Sequence, residues 1–135
     1  SRENENKRKK FIEERSDYLN QENINFVEMD STFIKEKFKT KKFEMIWVDG
    51  DHLDPQVTID IMNSLDLVNQ SCTICVDDVM IYDDGFKKIK NCTNESYKTL
   101  KSLQKDMKIN NFYILKRIIK SNAINKKYIS ISLKN

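Results

Sequence analysis

The sequence predicts an α/β domain: a mainly parallel sheet flanked by helices on both faces, with an antiparallel hairpin at its C-terminal edge. Three observations carry that expectation. Helical and extended patterns alternate in the order helix, strand, helix, strand, helix, strand, helix, strand, strand. Two of the extended segments, Phe43–Val48 and residues 72–76, are apolar almost throughout, as strands covered on both faces are. The last two, residues 112–119 and Tyr128–Leu133, lie close enough along the chain to pair with each other.

The elements follow in order. Residues 5–20 read as a helix, with Phe11, Ile12, Arg15, Tyr18 and Leu19 forming a stripe beneath a charged face. A leading helix is unusual here, because in this architecture such a helix normally follows a strand. Residues 24–28 read as a short strand. Asp30, Ser31 and Thr32 offer N-caps for a short helix carrying Phe33, Ile34 and Phe38. After Phe43–Val48, Pro55 suits the first turn of a helix, and Val57, Ile59, Ile61, Met62, Leu65 and Leu67 follow with mixed helical spacing. Residues 72–76 form the second central strand. Residues 96–108 read as a basic amphipathic helix with Tyr97, Leu100, Leu103 and Met107 facing inward.

Composition narrows the function. The 135 residues are 39% hydrophobic and 33% charged, enough for one domain with a buried core. No repeat or Pro/Gly/Ser-rich linker divides them. A net charge of +3 is too even to announce a nucleic-acid or membrane partner. No apolar run reaches membrane-spanning length and the first residues lack a signal-peptide core, so a cytoplasmic setting is expected. With two glycines, a glycine-rich phosphate or cofactor loop within these residues is excluded. Cys72 and Cys75 have CxxC spacing, yet three apart on a strand they point to opposite faces. With Cys92 the count is odd, and no second Cys pair or His cluster completes a zinc site. Buried, reduced thiols are the expectation.

The chemistry concentrates at the ends of the two central strands. Ile46-Trp47-Val48-Asp49-Gly50-Asp51-His52 sets two carboxylates and the single histidine just beyond one strand, and Val76-Asp77-Asp78 ends the next. Open α/β sheets bind ligands in the crevice outside those carboxyl ends. Adjacent strands lie about 5 Å apart, so Asp49, Asp77 and Asp78 can converge and invite a hard cation such as magnesium or calcium. Aspartates at strand ends also serve simply to cap the next helix, and a loop histidine can be an ordinary surface residue. An imidazole among carboxylates has the right range for a general base near neutral pH.

The run from Phe43 to His52, a helix, and then Cys75-Val76-Asp77-Asp78 resemble the second half of class I S-adenosylmethionine-dependent methyltransferases. The closest likeness is to small-molecule O-methyltransferases with an IDGDH…DD signature, which include metal-dependent catechol-type and sugar-type enzymes. It extends over residues 5–133. The resemblance implies a Rossmann-like sheet of order 3-2-1-4-5-7-6. It matches residues 26–31 to the third strand, so Asp30 and Ser31 would line the adenine pocket. Asp49 and Gly50 would border the methionine end of the cofactor. In metal-dependent members the positions of Asp49, Asp77 and Asp78 hold a divalent cation such as Mg2+, and that of His52 serves some as general base.

The family's first two strands, its glycine-rich loop and the ribose-binding acid have no counterpart here. Residues 1–135 are therefore expected to be the C-terminal portion of a methyltransferase domain, inactive alone, with a gap in the sheet. The implied activity is methyl transfer to a hydroxyl of a small molecule, metal-assisted or not. Tyr82, Asp83, Asp84 and Phe86 are candidate acceptor-pocket residues or plain surface loop. Asp49-Gly50-Asp51 is also a DxD signature, which keeps a metal-dependent nucleotide-sugar transferase open. A haloacid dehalogenase-type phosphohydrolase is disfavoured, because about 25 residues between the acidic motifs leave little room for its other motifs. A non-enzymatic remnant of a methyltransferase fold, docking through its basic helix, is the third alternative.

Overall fold

The computed structural model describes residues 2–81, 94–116 and 128–135. The chain runs α1 (Arg2–Glu14), α2 (Ser16–Leu19), a 3-10 turn (Ser31–Phe33), α3 (Ile34–Lys37), β1 (Phe43–Val48) and α4 (Gln56–Leu67). There follow β2 (Val68–Val79), α5 (Glu95–Lys105), β3 (Tyr113–Lys116) and β4 (Tyr128–Leu133). Cys92 and the candidate pocket residues Tyr82, Asp83, Asp84 and Phe86 lie outside the described residues.

The strands form one sheet in the order β1-β2-β4-β3. β1 and β2 are parallel, whereas β4 runs antiparallel to both β2 and β3. This is the 4-5-7-6 part of the expected order, with the C-terminal hairpin at one edge. A parallel pair needs a crossover, and α4 supplies it. Val57, Ile61 and Leu65 recur at four-residue spacing along α4 and are buried. α5 adds Leu100 and Leu103. These side chains close over Val48, Ile74, Val76 and Val79 in a single core. Full burial of one such aliphatic side chain contributes about 1.5–3 kcal/mol.

That core occupies one face of the sheet. Side chains alternate along a strand, so the opposite face carries Met45 and Trp47 of β1, Cys75 of β2, Ile131 and Leu133 of β4, and Tyr113 and Leu115 of β3. Trp47, Cys75, Ile131 and Tyr113 are register partners in one row across all four strands. Met45 is 55% exposed, Trp47 48% and Tyr113 69%. Among the described residues no helix packs on this face, which corrects the expectation that β1 is covered on both sides.

Three further expectations are corrected. Residues 24–28 form no strand; with no neighbouring strand to accept its backbone groups, an isolated extended segment has no ladder to join. No residue between 3 and 47 is buried; in the stripe on the N-terminal helices Phe11, Arg15 and Tyr18 are exposed, and Ile12 and Leu19 are half-buried. Met107 does not point inward. The helix has ended at Lys105, and Met107 is 78% exposed with φ 54°.

The ladder is interrupted twice in β2. Between Val76 and Val79 the register against β4 slips by one residue, a bulge at Asp77 and Asp78, with φ 49° at Asp78. Nearer the start of β2, Ser71 also has a positive φ, 60°.

Candidate functional site

The bulge sits at the carboxyl end of β2 and changes where its acids point. Val48 and Val76 are register partners, so Asp49 and Asp77 are the residues that leave the parallel pair together. Asp77 is 7% exposed, and its Oδ1 accepts the backbone N–H of Asp78 at 2.8 Å. The left-handed backbone at Asp78 is one that aspartate tolerates better than most residues. It turns the Asp78 carboxylate toward the turn after β1.

His52 meets it there. Its Nε2 lies 3.5 Å from Asp78 Oδ2 and 4.0 Å from Asp49 Oδ1. The imidazole and Asp78 are largely screened from water, at 17% and 12% exposed, whereas Asp49 is 58% exposed. The turn between β1 and α4 is fixed by its own side chains. Asp51 Oδ1 accepts the Leu53 backbone N–H at 3.0 Å, which gives the second acid of the DxD sequence a local structural task.

The structure therefore brings His52, Asp49 and Asp78 together, with Asp77 alongside. It does not gather the three aspartates around one point: among the described residues no group of three or more His, Cys, Asp or Glu is placed to hold a metal ion. As folded, this donor set does not fit a resident cation.

Asp30 and Ser31 lie on the turn after residues 24–28. Asp30 caps the 3-10 turn, its Oδ1 accepting the Thr32 N–H at 2.9 Å, and this backbone hydrogen bond holds its carboxyl below the usual aspartate value. Ser31 Oγ accepts from Gln56 Nε2 at 3.0 Å, which ties the turn to the first residue of α4. Gln56 and its neighbour Asp60 were not singled out by motif. The signal was there: an acid at position 60 interrupts the apolar side of an amphipathic helix.

Cys72 and Cys75 are both free thiols. Cys72 packs against the core cluster, and Cys75 belongs to the uncovered face, where it is nevertheless 3% exposed. Burial pushes the Cys75 thiol pKa up, as fits an inert thiol. A cleft of about 450 Å³ is bordered by Gln104, Asn110, Tyr113 and Leu133, beside the end of β4, and contains none of the acids or the histidine. Among the described residues no helix is long and apolar enough to cross a membrane.

Solved structures share this fold, whereas no curated protein matches the sequence. A candidate rRNA methylase from Clostridium thermocellum superposes with a TM-score of 0.55 at 13% identity, over 92% of this chain and 67% of that one. An O-methyltransferase from Bacillus cereus, in complex with SAH, gives a TM-score of 0.55 at 16% identity. An rRNA methylase from Streptococcus thermophilus gives 0.50 at 14% identity, over 90% of this chain and 63% of that one. Against the Bacillus cereus enzyme the match takes in 78% of this chain and only 46% of the other. At these identities the likeness is one of fold. The sequence itself matches a family described as a methyltransferase domain over residues 2–79, which reaches from the first helix through the Asp77–Asp78 bulge, and the chain belongs to that family.

Proposed function

We propose that the protein is an S-adenosylmethionine-dependent O-methyltransferase of small hydroxylated molecules, with residues 1–135 forming the acceptor-side portion of its domain. The observation that carries this reading is the placement of His52 between Asp78 and Asp49 at the carboxyl ends of two adjacent parallel strands. Family membership supports the reaction class, and the SAH in the Bacillus cereus structure supports the cofactor.

The donors on the two turns suit such a cofactor. Asp30 and Ser31 would meet the adenine amino group, and the exposed Asp49 carboxylate with the Gly50 backbone would border the methionine end. When bound, the cofactor supplies an electrophilic sulfonium methyl. The rest falls to the chain. His52 accepts the proton of the acceptor hydroxyl, and the carboxylates facing Nε2 offset the positive charge the ring gains. Partial burial of His52 and Asp78 keeps that compensation strong, because little water screens it.

The test is methyl transfer by the full-length protein to a panel of catechols and sugars. His52→Ala should lower kcat by about 100-fold or more while changing cofactor affinity little. Near-normal turnover of that variant across about pH 6 to 9 would make the histidine a bystander. Activity unchanged by chelation would agree with deprotonation by His52; loss of activity on chelation, restored by Mg2+, would overturn that role. Methylation of rRNA with no transfer to any small molecule would sink the proposed substrate class.

A further inference from the structure

Asp60 is an acid at a position where α4 is otherwise closing on the core. It lies between Val57 and Ile61 on the buried side and is itself 8% exposed. Its Oδ1 accepts from Gln56 Nε2 at 2.9 Å. The same amide nitrogen donates to Ser31 Oγ at 3.0 Å, so both of its hydrogens are used. Gln56 Oε1 faces the Thr32 hydroxyl at 3.5 Å, and Asn63 Nδ2 reaches the Ser31 and Thr32 carbonyls at 3.3 and 3.4 Å. On its other side Asp60 abuts Gly50 so closely that a Cβ there would stand 3.2 Å from Oδ2.

One amide and one buried carboxylate therefore join two turns that are distant in sequence. Among the described residues no strand leads into the Asp30–Thr32 turn, and side chains of α4 hold it. The geometry points to Gln56 and Asp60 as positioning residues, which fix the Ser31 turn relative to the Asp49–Gly50 turn so that both meet one extended ligand at once. This inference rests on the methyltransferase reading and deepens it. Ordering the two turns before binding removes an entropy cost that the ligand would otherwise meet.

Calorimetric titration of the full-length protein with SAH tests it, alongside cofactor KM and kcat. Gln56→Met keeps side-chain length and helix preference but removes both donated hydrogens. It should weaken SAH binding about 10-fold and raise the cofactor KM similarly, with kcat within about twofold of wild type. Asp60→Leu should do the same, and Asp60→Asn, which keeps an oxygen for Gln56, should recover most of the loss. The double variant Gln56→Met/Asp60→Leu should be little worse than either single one, because both break the same link.

Wild-type affinity in Gln56→Met, or a loss in kcat with KM unchanged, overturns the proposal and leaves the methyltransferase reading standing. If the wild-type protein takes up no SAH, that reading fails by itself. Hydrogen exchange at residues 30–33 then decides: faster exchange in Gln56→Met supports the link, and equal protection overturns it.

Discussion

The two faces of the sheet are built from the same strands and differ in what lies over them. On one, Val48, Ile74 and Val76 meet α4 and α5 and are 8%, 1% and 1% exposed. On the other, Met45 and Trp47 of the same strand as Val48 are about half exposed. Apolarity is shared; coverage is not. A side chain's contribution to stability therefore depends on the layer opposite it, and strand composition alone does not reveal whether that layer exists.

Truncation on each face is the strongest way to break the comparison. Ile61→Ala or Ile74→Ala should cost about 2–5 kcal/mol, read from the denaturant midpoint. Trp47→Ala should cost less than about 1 kcal/mol in residues 1–135, since half of that side chain already meets water. Equal costs would show that something covers the second face in solution.

Thiol labelling sharpens the picture at the centre of that face. Cys75 sits in register between Trp47 and Ile131, whose larger side chains flank it. Iodoacetamide followed by peptide mass mapping should modify Cys72 about 10-fold faster than Cys75. Because burial raises the Cys75 pKa, its contribution to stability is complete below the ordinary thiol pKa. That contribution is lost as pH rises through the higher folded value. Comparable labelling rates would mean the flanking side chains do not screen it.

The smallest expected effect concerns the ladder and not the faces. Ser71 holds φ 60° at a position where its N–H donates to the Lys134 carbonyl. Ser71→Gly relieves the left-handed cost while adding chain entropy to the unfolded state, for a net gain of about 0.5–1 kcal/mol. A loss of stability there would show that the Ser71 side chain matters more than its backbone.

Much of this was legible in the sequence. The apolar runs ending in Asp49 and in Asp77–Asp78 located the two parallel strands, and the closely spaced final segments gave the antiparallel hairpin. His52 stands out in the sequence as the single histidine, set beside those acids. The strand expected at residues 24–28 failed because a short apolar segment becomes a strand only when another strand lies beside it. Met107 failed for a different reason: helical periodicity continues past Lys105, but the backbone turns left-handed and carries the side chain out. Gln56 was invisible because an amide at the start of a helix has no pattern; only the fold shows that it reaches Ser31.

The positive φ at Asp78 has a consequence for how this protein can vary. Aspartate, asparagine and glycine are the residues that accept such a backbone readily, and each of the other two is one nucleotide away from an aspartate codon. Mutation can thus silence the charge facing His52, or delete the side chain, without disturbing the bend that places it. A valine or isoleucine would fight the bend before its chemistry mattered. Single-nucleotide changes at position 78 therefore alter what faces His52 while keeping a residue that accepts the left-handed backbone.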